Sequence, residues 1–141
     1  MSAAATTTAP ICVKHIDHVT LVVKDLERSR RFYVDLLGMD EVARPAFGFP
    51  GSWFEAGRTQ IHLIAEHEDS GPAKVFVPEK CKLSRTRHFA FEVDDAETVV
   101  NTLHELGIPI AAGPQRRPDG PTQLYINDPD GNLVELFSFP S

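Results

Sequence analysis

Apolar and polar positions along this chain switch from a two-residue alternation to a helical period and back, and they do so twice. The run HVTLVV at residues 18–23 is rich in β-branched residues and reads as a strand. KDLERSRRFYVDLLG follows as an amphipathic helix. Leu26, Phe32, Tyr33, Leu36 and Leu37 fall on one face at a spacing of about 3.6, and Gly38 is its stop. From residue 88 the pattern returns. HFAFEV is a strand, and DDAETVVNTLHELG is a helix with Val99, Val100, Leu103 and Leu106 on one face and Gly107 at its end. His18 to Val23, Asp25 and Glu27 match His88 to Val93, Asp95 and Glu97, and Gly38 and Gly107 stop the helices 20 and 19 residues after the two histidines. A self-similarity of this kind outranks any local reading.

Each half continues in strands. GSWFEAG and TQIHLIAE read so in the first, and TQLYIND and NLVELFSF in the second, the latter pair joined by the turn DPDG. The expected organisation is a disordered tail over residues 1–13 and one domain over 14–139. Within it, module one spans about 14–68, a connector about 69–85, in which KVFV is a further strand candidate, and module two about 86–139. One such module leaves a sheet face bare, so two modules or two chains must pack together.

The strand period places the polar residues that do not belong in a core. His18 shares a face with Thr20 and Val22, and His88 with Ala90 and Glu92, while Val19, Leu21, Val23, Phe89, Phe91 and Val93 occupy the opposite faces. His62 lies in the last strand of the first half, on the face of Gln60 and Ile64. Glu135 lies in the last strand of the second half, in the middle of GNLVELFSF, where a buried carboxylate needs something to offset its charge. His18 to His62 is 44 residues and His88 to Glu135 is 47, so four potential ligands hold equivalent places in two repeats. Imidazole nitrogen with carboxylate oxygen suits Zn, Fe, Ni or Mn, and such an ion would offset the charge of Glu135. His15, His67 and His104 lack that placement: His67 and His104 read as surface residues, and His15 lies three before His18 on the other strand face. The aromatic stretch FGFPGSWFEAG, with Phe47, Phe49, Trp53 and Phe54, reads either as a pocket wall or as core. Arg116 and Arg117 sit in a Pro/Gly-rich loop that reads as solvated, the alternative being that they hold a carboxylate.

Composition narrows the remaining classes. With 42% hydrophobic residues, 24% charged and a net charge of −6, the chain looks like an ordinary globular protein with no basic stripe for nucleic acid or a membrane surface. No apolar run approaches the roughly 20 residues of a membrane span, and the first ten residues lack the pattern of a secretory signal. Cys12 and Cys81 show no metal-site spacing and read as free thiols, a single disulfide being the alternative; a cytoplasmic location is expected.

The motifs HVTLVVKDLERSRRFYVDLLGM, RHFAFEVDD and DPDGNLVEL resemble those of the vicinal oxygen chelate superfamily, which includes glyoxalase I, methylmalonyl-CoA epimerase, fosfomycin-resistance transferases, bleomycin-resistance proteins and extradiol dioxygenases. The resemblance covers roughly residues 14–139. It implies an α+β fold of two tandem βαβββ modules that pack as a homodimer around a divalent metal, with His18, His62, His88 and Glu135 as ligands. In many small single-chain members two protomers share the site, and His18 and His62 would then come from one chain and His88 and Glu135 from the other. The implied chemistry is glyoxalase- or epimerase-like, acting on a small molecule with vicinal oxygens bound to Zn, Ni, Fe, Mn or Co, with Glu135 as the base. Two features depart from glyoxalase I: Val22 stands where an arginine for glutathione is usual, and His62 where a glutamate is typical. An extradiol dioxygenase using Fe(II) is the second reading. There His18, His88 and Glu135 form the ligand triad, Tyr125 matches part of the signature, and His62 is an acid–base group. A non-catalytic small-molecule binding or resistance protein of the same fold is the third.

Overall fold

The computed structural model describes residues 8–74, 77 and 83–141. Two similar units follow one another. The first runs β1 (His18–Val23), α1 (Leu26–Arg30), β2 (Asp40–Val42), β3 (Gly51–Ala56) and β4 (Thr59–Ala65). The second runs β5 (Phe89–Glu92), α2 (Ala96–Leu106), β6 (Ala112–Arg116), β7 (Thr122–Asn127) and β8 (Leu133–Ser138). The sheets have the orders β1-β4-β3-β2 and β5-β8-β7-β6, so the first and last strands of each unit lie side by side and parallel. Each unit is a βαβββ module, as the repeat implies. The strands β2 and β6 carry no apolar alternation and sit at the sheet edges, where Pro114 of β6 is tolerated because an edge strand has N–H groups to spare.

The repeat extends to the helix ends. Asp25 and Asp95 cap the two helices, accepting from the amides of Arg28 and Glu97, each at 3.1 Å. Gly107 ends α2 with φ +70°, and Gly38 ends the first helical segment with φ +78°, a conformation that favours glycine over any residue with a Cβ. The first helix differs from its expected form. After Arg30 it widens into a π-helical segment (Arg31–Leu36), seen in the 3.0 Å bond from the amide of Leu37 to the carbonyl of Phe32. The wider turn buries adjacent Phe32 and Tyr33 together.

The core is built from the strand faces expected for it. Val23, Phe54, Ile61 and Leu63 of the first module and Leu124, Ile126, Val134 and Leu136 of the second belong to one continuous cluster, with Tyr33 and Leu103 from the helical segments. The modules are tied by the turn that connects β7 to β8. Asp128, buried there, accepts from the amides of Asp130 (2.9 Å) and Asn132 (2.8 Å), from the Asn132 side chain (2.9 Å), and from the hydroxyl of Tyr33 at 2.7 Å. Asp130 accepts from the amide of Lys24 at 3.2 Å and pairs with Arg28 at 3.5 Å. Burial, followed by the charge of Asp128, holds the Tyr33 hydroxyl well above its usual pKa, so it stays a donor.

Among the described residues no helix is long and apolar enough to cross a membrane. Cys12 is an exposed thiol, whereas Cys81 lies outside the described residues. Of the KVFV strand candidate, Val75 and Phe76 also lie outside them.

Tyr33→Phe removes one hydrogen bond to a buried carboxylate while keeping the ring. We expect a loss of about 1.5–3 kcal/mol in urea unfolding with an unchanged far-ultraviolet spectrum. An unchanged midpoint would show that the joint contributes nothing.

Candidate metal centre

In the first module the register sets Thr20 opposite His62 across β1–β4 and Trp53 opposite His62 across β3–β4. His18, Thr20, Gln60, His62 and Trp53 therefore share the sheet face that points away from the core. The His62 ring is sandwiched. Its centroid is 3.9 Å from that of His18 with 15° between planes, and 4.0 Å from that of Trp53 with 5° between planes. Its Nε2 is 2.7 Å from Gln60 Oε1, and the Gln60 amide donates in turn to Glu55 at 2.9 Å. Glu55 thus fixes which way the Gln60 amide faces, and Gln60 fixes the proton of His62 on Nε2. Nδ1 is left with the free lone pair. Burial, then the neighbouring His18, holds the pKa of His62 below the usual imidazole value, which favours the neutral ring that a metal requires. His18 is tied from the other nitrogen. Its Nδ1 lies 2.8 Å from Asp17, which frees Nε2, and the same bond holds the Asp17 carboxyl below its ordinary pKa.

The second module repeats the scheme. His88 immediately precedes β5; Ala90 lies opposite Glu135 across β5–β8, and Tyr125 opposite Glu135 across β7–β8. His88 and His18 thus stand two residues before the partners of Glu135 and His62. Tyr125 occupies the place that Trp53 holds in the first module. The His88 Nδ1 donates to the Thr86 carbonyl at 2.8 Å, and Nε2 lies 3.0 Å from Glu135 Oε1. Tyr125 donates to the same oxygen at 3.2 Å. Burial first, and the Glu135 charge second, push the Tyr125 hydroxyl up to about 12, so it remains a neutral donor at physiological pH.

Glu135 is only 5% exposed, and its charge has a partner that the sequence did not assign. Arg117 places Nη1 3.6 Å from Glu135 Oε2, while Asp119 clamps the same guanidinium through bonds of 3.0 and 2.6 Å. Arg116, placed in a loop by its sequence context, is the exposed last residue of β6, and Arg117 just after it turns toward Glu135. The usable signal was the buried carboxylate itself, which called for a cation; nothing local distinguishes Arg117 from its neighbour.

Within the chain, His18 meets His62 and His88 meets Glu135. Among the described residues no group of three or more His, Cys, Asp or Glu comes close enough to hold one ion. Each pair can be tested against metal geometry. Two donors about 2.1 Å from one ion at right angles are about 3.0 Å apart, the separation of His88 Nε2 and Glu135 Oε1. The two parallel imidazoles of the first pair cannot both aim in-plane lone pairs at one point. One must turn, and His18, with 40% of its side chain exposed, has room to do so. His18 and His62 each have one nitrogen anchored and the other open, and His88 is anchored through Nδ1 with Nε2 facing Glu135, the arrangement that orients metal-binding imidazoles. The donor set therefore fits a divalent ion as two half-sites.

Beside the first half-site lies a cavity of about 500 Å³, lined by His18, Arg44, Phe47, Phe49, Trp53 and His62 among others. Phe47, Phe49 and Trp53 are pocket wall, but Phe54 is fully buried in the core, because it falls on the other face of β3. His15, His67 and His104 are exposed.

Residues 15–136 match the family model of the glyoxalase/bleomycin resistance protein/dioxygenase superfamily. The chain is 28% identical over 130 residues to "Glyoxylase I 4" of Arabidopsis thaliana, covering 90% of this chain and 72% of that protein. It is 28% identical over 127 residues to a catechol-2,3-dioxygenase of Bacillus subtilis, covering 88% of this chain but 41% of that protein. A glyoxalase/dioxygenase structure from Nostoc punctiforme superposes with a TM-score of 0.74 at 30% identity, over 99% of this chain and 100% of that one. The paired βαβββ modules and the match over nearly the whole domain lead to one conclusion: this chain belongs to the glyoxalase/bleomycin resistance protein/dioxygenase superfamily, the vicinal oxygen chelate proteins.

Proposed function

We propose that this protein is a divalent-metal-dependent enzyme of the glyoxalase type, a lyase or isomerase acting on a small molecule with neighbouring oxygens. The observation that carries this reading is the His88–Glu135 pair, half-buried at His88 and buried at Glu135, with its donor atoms 3.0 Å apart and in the same strand register as His18 and His62. His18, His62, His88 and Glu135 would hold the ion, the first two from one copy of the chain and the last two from a second copy facing it. When bound, the ion polarises a substrate carbonyl and stabilises the negative charge that develops as a proton leaves the adjacent carbon. Glu135 is the base that takes this proton and returns it to the neighbouring position. Its burial keeps water from competing, while Tyr125 and Arg117 hold the carboxylate in place.

A second reading, ring cleavage of a catechol with O₂, is favoured by the hydroxyl of Tyr125 against Glu135 and by the present orientation of the His62 ring. It is supported by the likeness to the Bacillus subtilis protein named for that reaction. In that case His62 is an acid–base group beside a ligand triad of His18, His88 and Glu135.

Elemental analysis of protein purified without chelators should find a divalent metal that is strongly depleted in His18→Ala, His88→Ala and Glu135→Gln. Wild-type metal content in all three variants would refute the site. His62→Ala should lower metal affinity by about 10-fold or more while the fold is kept. Full metal retention with a loss of turnover of about 10²–10⁴-fold would instead assign His62 to proton transfer and favour the dioxygenase. Oxygen uptake with catechols, against isomerisation of α-hydroxycarbonyl compounds or hemithioacetals, separates the two reactions directly.

A further inference from the structure

The cavity beside His18 and His62 carries a cation that the metal site does not use. Arg44 is half-buried in the segment between β2 and β3. Its guanidinium lies 4.8 Å from the ring centroid of Phe47 and 5.0 Å from that of Phe49, and Nη1 donates to the Phe49 carbonyl at 3.0 Å. Among the described residues no carboxylate lies within ion-pair distance of it. The acids nearby are engaged elsewhere, Asp17 with His18 and Glu55 with Gln60. An arginine presents five N–H donors in a planar fork, so one bond to a carbonyl leaves most of the fork open.

The neighbouring backbone leaves room for this side chain. A Cβ at Gly51 would lie 2.7 Å from the Arg44 guanidinium carbon and 2.8 Å from its Nε, and would also meet the Leu63 carbonyl. The absence of a side chain at Gly51 is what lets the guanidinium lie against β3. Two aromatic faces, one backbone carbonyl and one glycine gap thus hold Arg44 in place at the wall of the cavity. A stacked, pre-positioned guanidinium with open donors matches a planar anion through paired hydrogen bonds.

We infer that this cavity selects a substrate with an aromatic or otherwise planar body and a carboxylate, the carboxylate bound by Arg44 and the body lying among Phe47, Phe49 and Trp53. The inference rests on the proposed function for the other end of the molecule, where the reacting oxygens meet His18 and His62. It names the substrate class as planar organic acids.

Trp53 is the only tryptophan of the chain and lines the cavity, so its fluorescence reports on occupancy without any need for turnover. The probes are phenylacetate and its neutral isostere phenylacetamide, titrated into the full-length protein with and without a chelator. Phenylacetate should change Trp53 emission saturably and bind about 10-fold or more tightly than the amide, as charge-assisted hydrogen bonds require. Arg44→Met should abolish that preference while the far-ultraviolet spectrum and a cooperative melting transition are kept. Arg44→Lys, which keeps the charge but not the fork, should retain only part of it. Equal affinity for acid and amide in the wild type, or a preference that survives in Arg44→Met, would overturn the inference. So would the lack of a saturable response to either probe. Because the readout persists in chelator, failure here leaves the metal-site reading standing, and failure of the metal site leaves this result interpretable.

Discussion

A carboxylate within an interior strand is the constraint around which the second module is arranged. Glu135 sits in β8, between β5 and β7, and is almost fully removed from water. An unpaired charge there would cost several kcal/mol. Three side chains from three other segments answer it: His88 from the start of β5, Tyr125 from β7, and Arg117 from the loop after β6. None of them is needed to build the sheet. A Leu at position 135 would satisfy the strand with less cost, so the arrangement points to a site maintained at the expense of stability.

The first module solves a related problem differently. In the place of Glu135 it has His62, which is neutral when buried and is held by ring stacking and by Gln60 rather than by opposite charge. The duplicated fold thus yields two half-sites of unlike chemistry, one with two imidazoles and one with an imidazole and a carboxylate. In both, the nitrogen not aimed outward is anchored by a polar group. The cavity walled by Phe47, Phe49, Trp53 and Arg44 belongs to the first half-site, whereas the smaller cavity beside His88 is lined by Arg87 and Phe89 among others.

What the sequence showed and what it hid follow from the range of the interactions involved. The equivalent placement of His18, His62, His88 and Glu135 in the two modules was legible because strand periodicity is local and the repeat doubles its signal; that they share an ion is the proposal. The βαβββ order was legible for the same reason, apart from the short edge strands, which need no apolar alternation. Arg117 was not legible because its partner Glu135 sits on another strand, and Arg44 and the Glu55–Gln60 pair were not because, though their contacts span only five residues, they depend on how the loop before β3 and the β3–β4 hairpin turn. The DPDG turn was recognisable as a turn, but its role as the joint between modules depends on Tyr33, 95 residues away from Asp128. The π-helical segment was hidden because an extra residue in a helical turn barely alters an apolar stripe.

The central claim is that two unlike half-sites from two copies make one metal site, and complementation tests it most directly. His18→Ala and Glu135→Gln chains, each metal-depleted alone, are co-expressed with different tags and purified together. In a two-fold dimer with shared sites, every mixed pair contains one wild-type site. Random pairing should therefore restore metal to roughly a quarter of the wild-type level, and the mixed dimer isolated through both tags to about half. Metal content that stays at the level of the separate variants would mean that each site draws all its ligands from a single chain, or that the four residues do not share an ion.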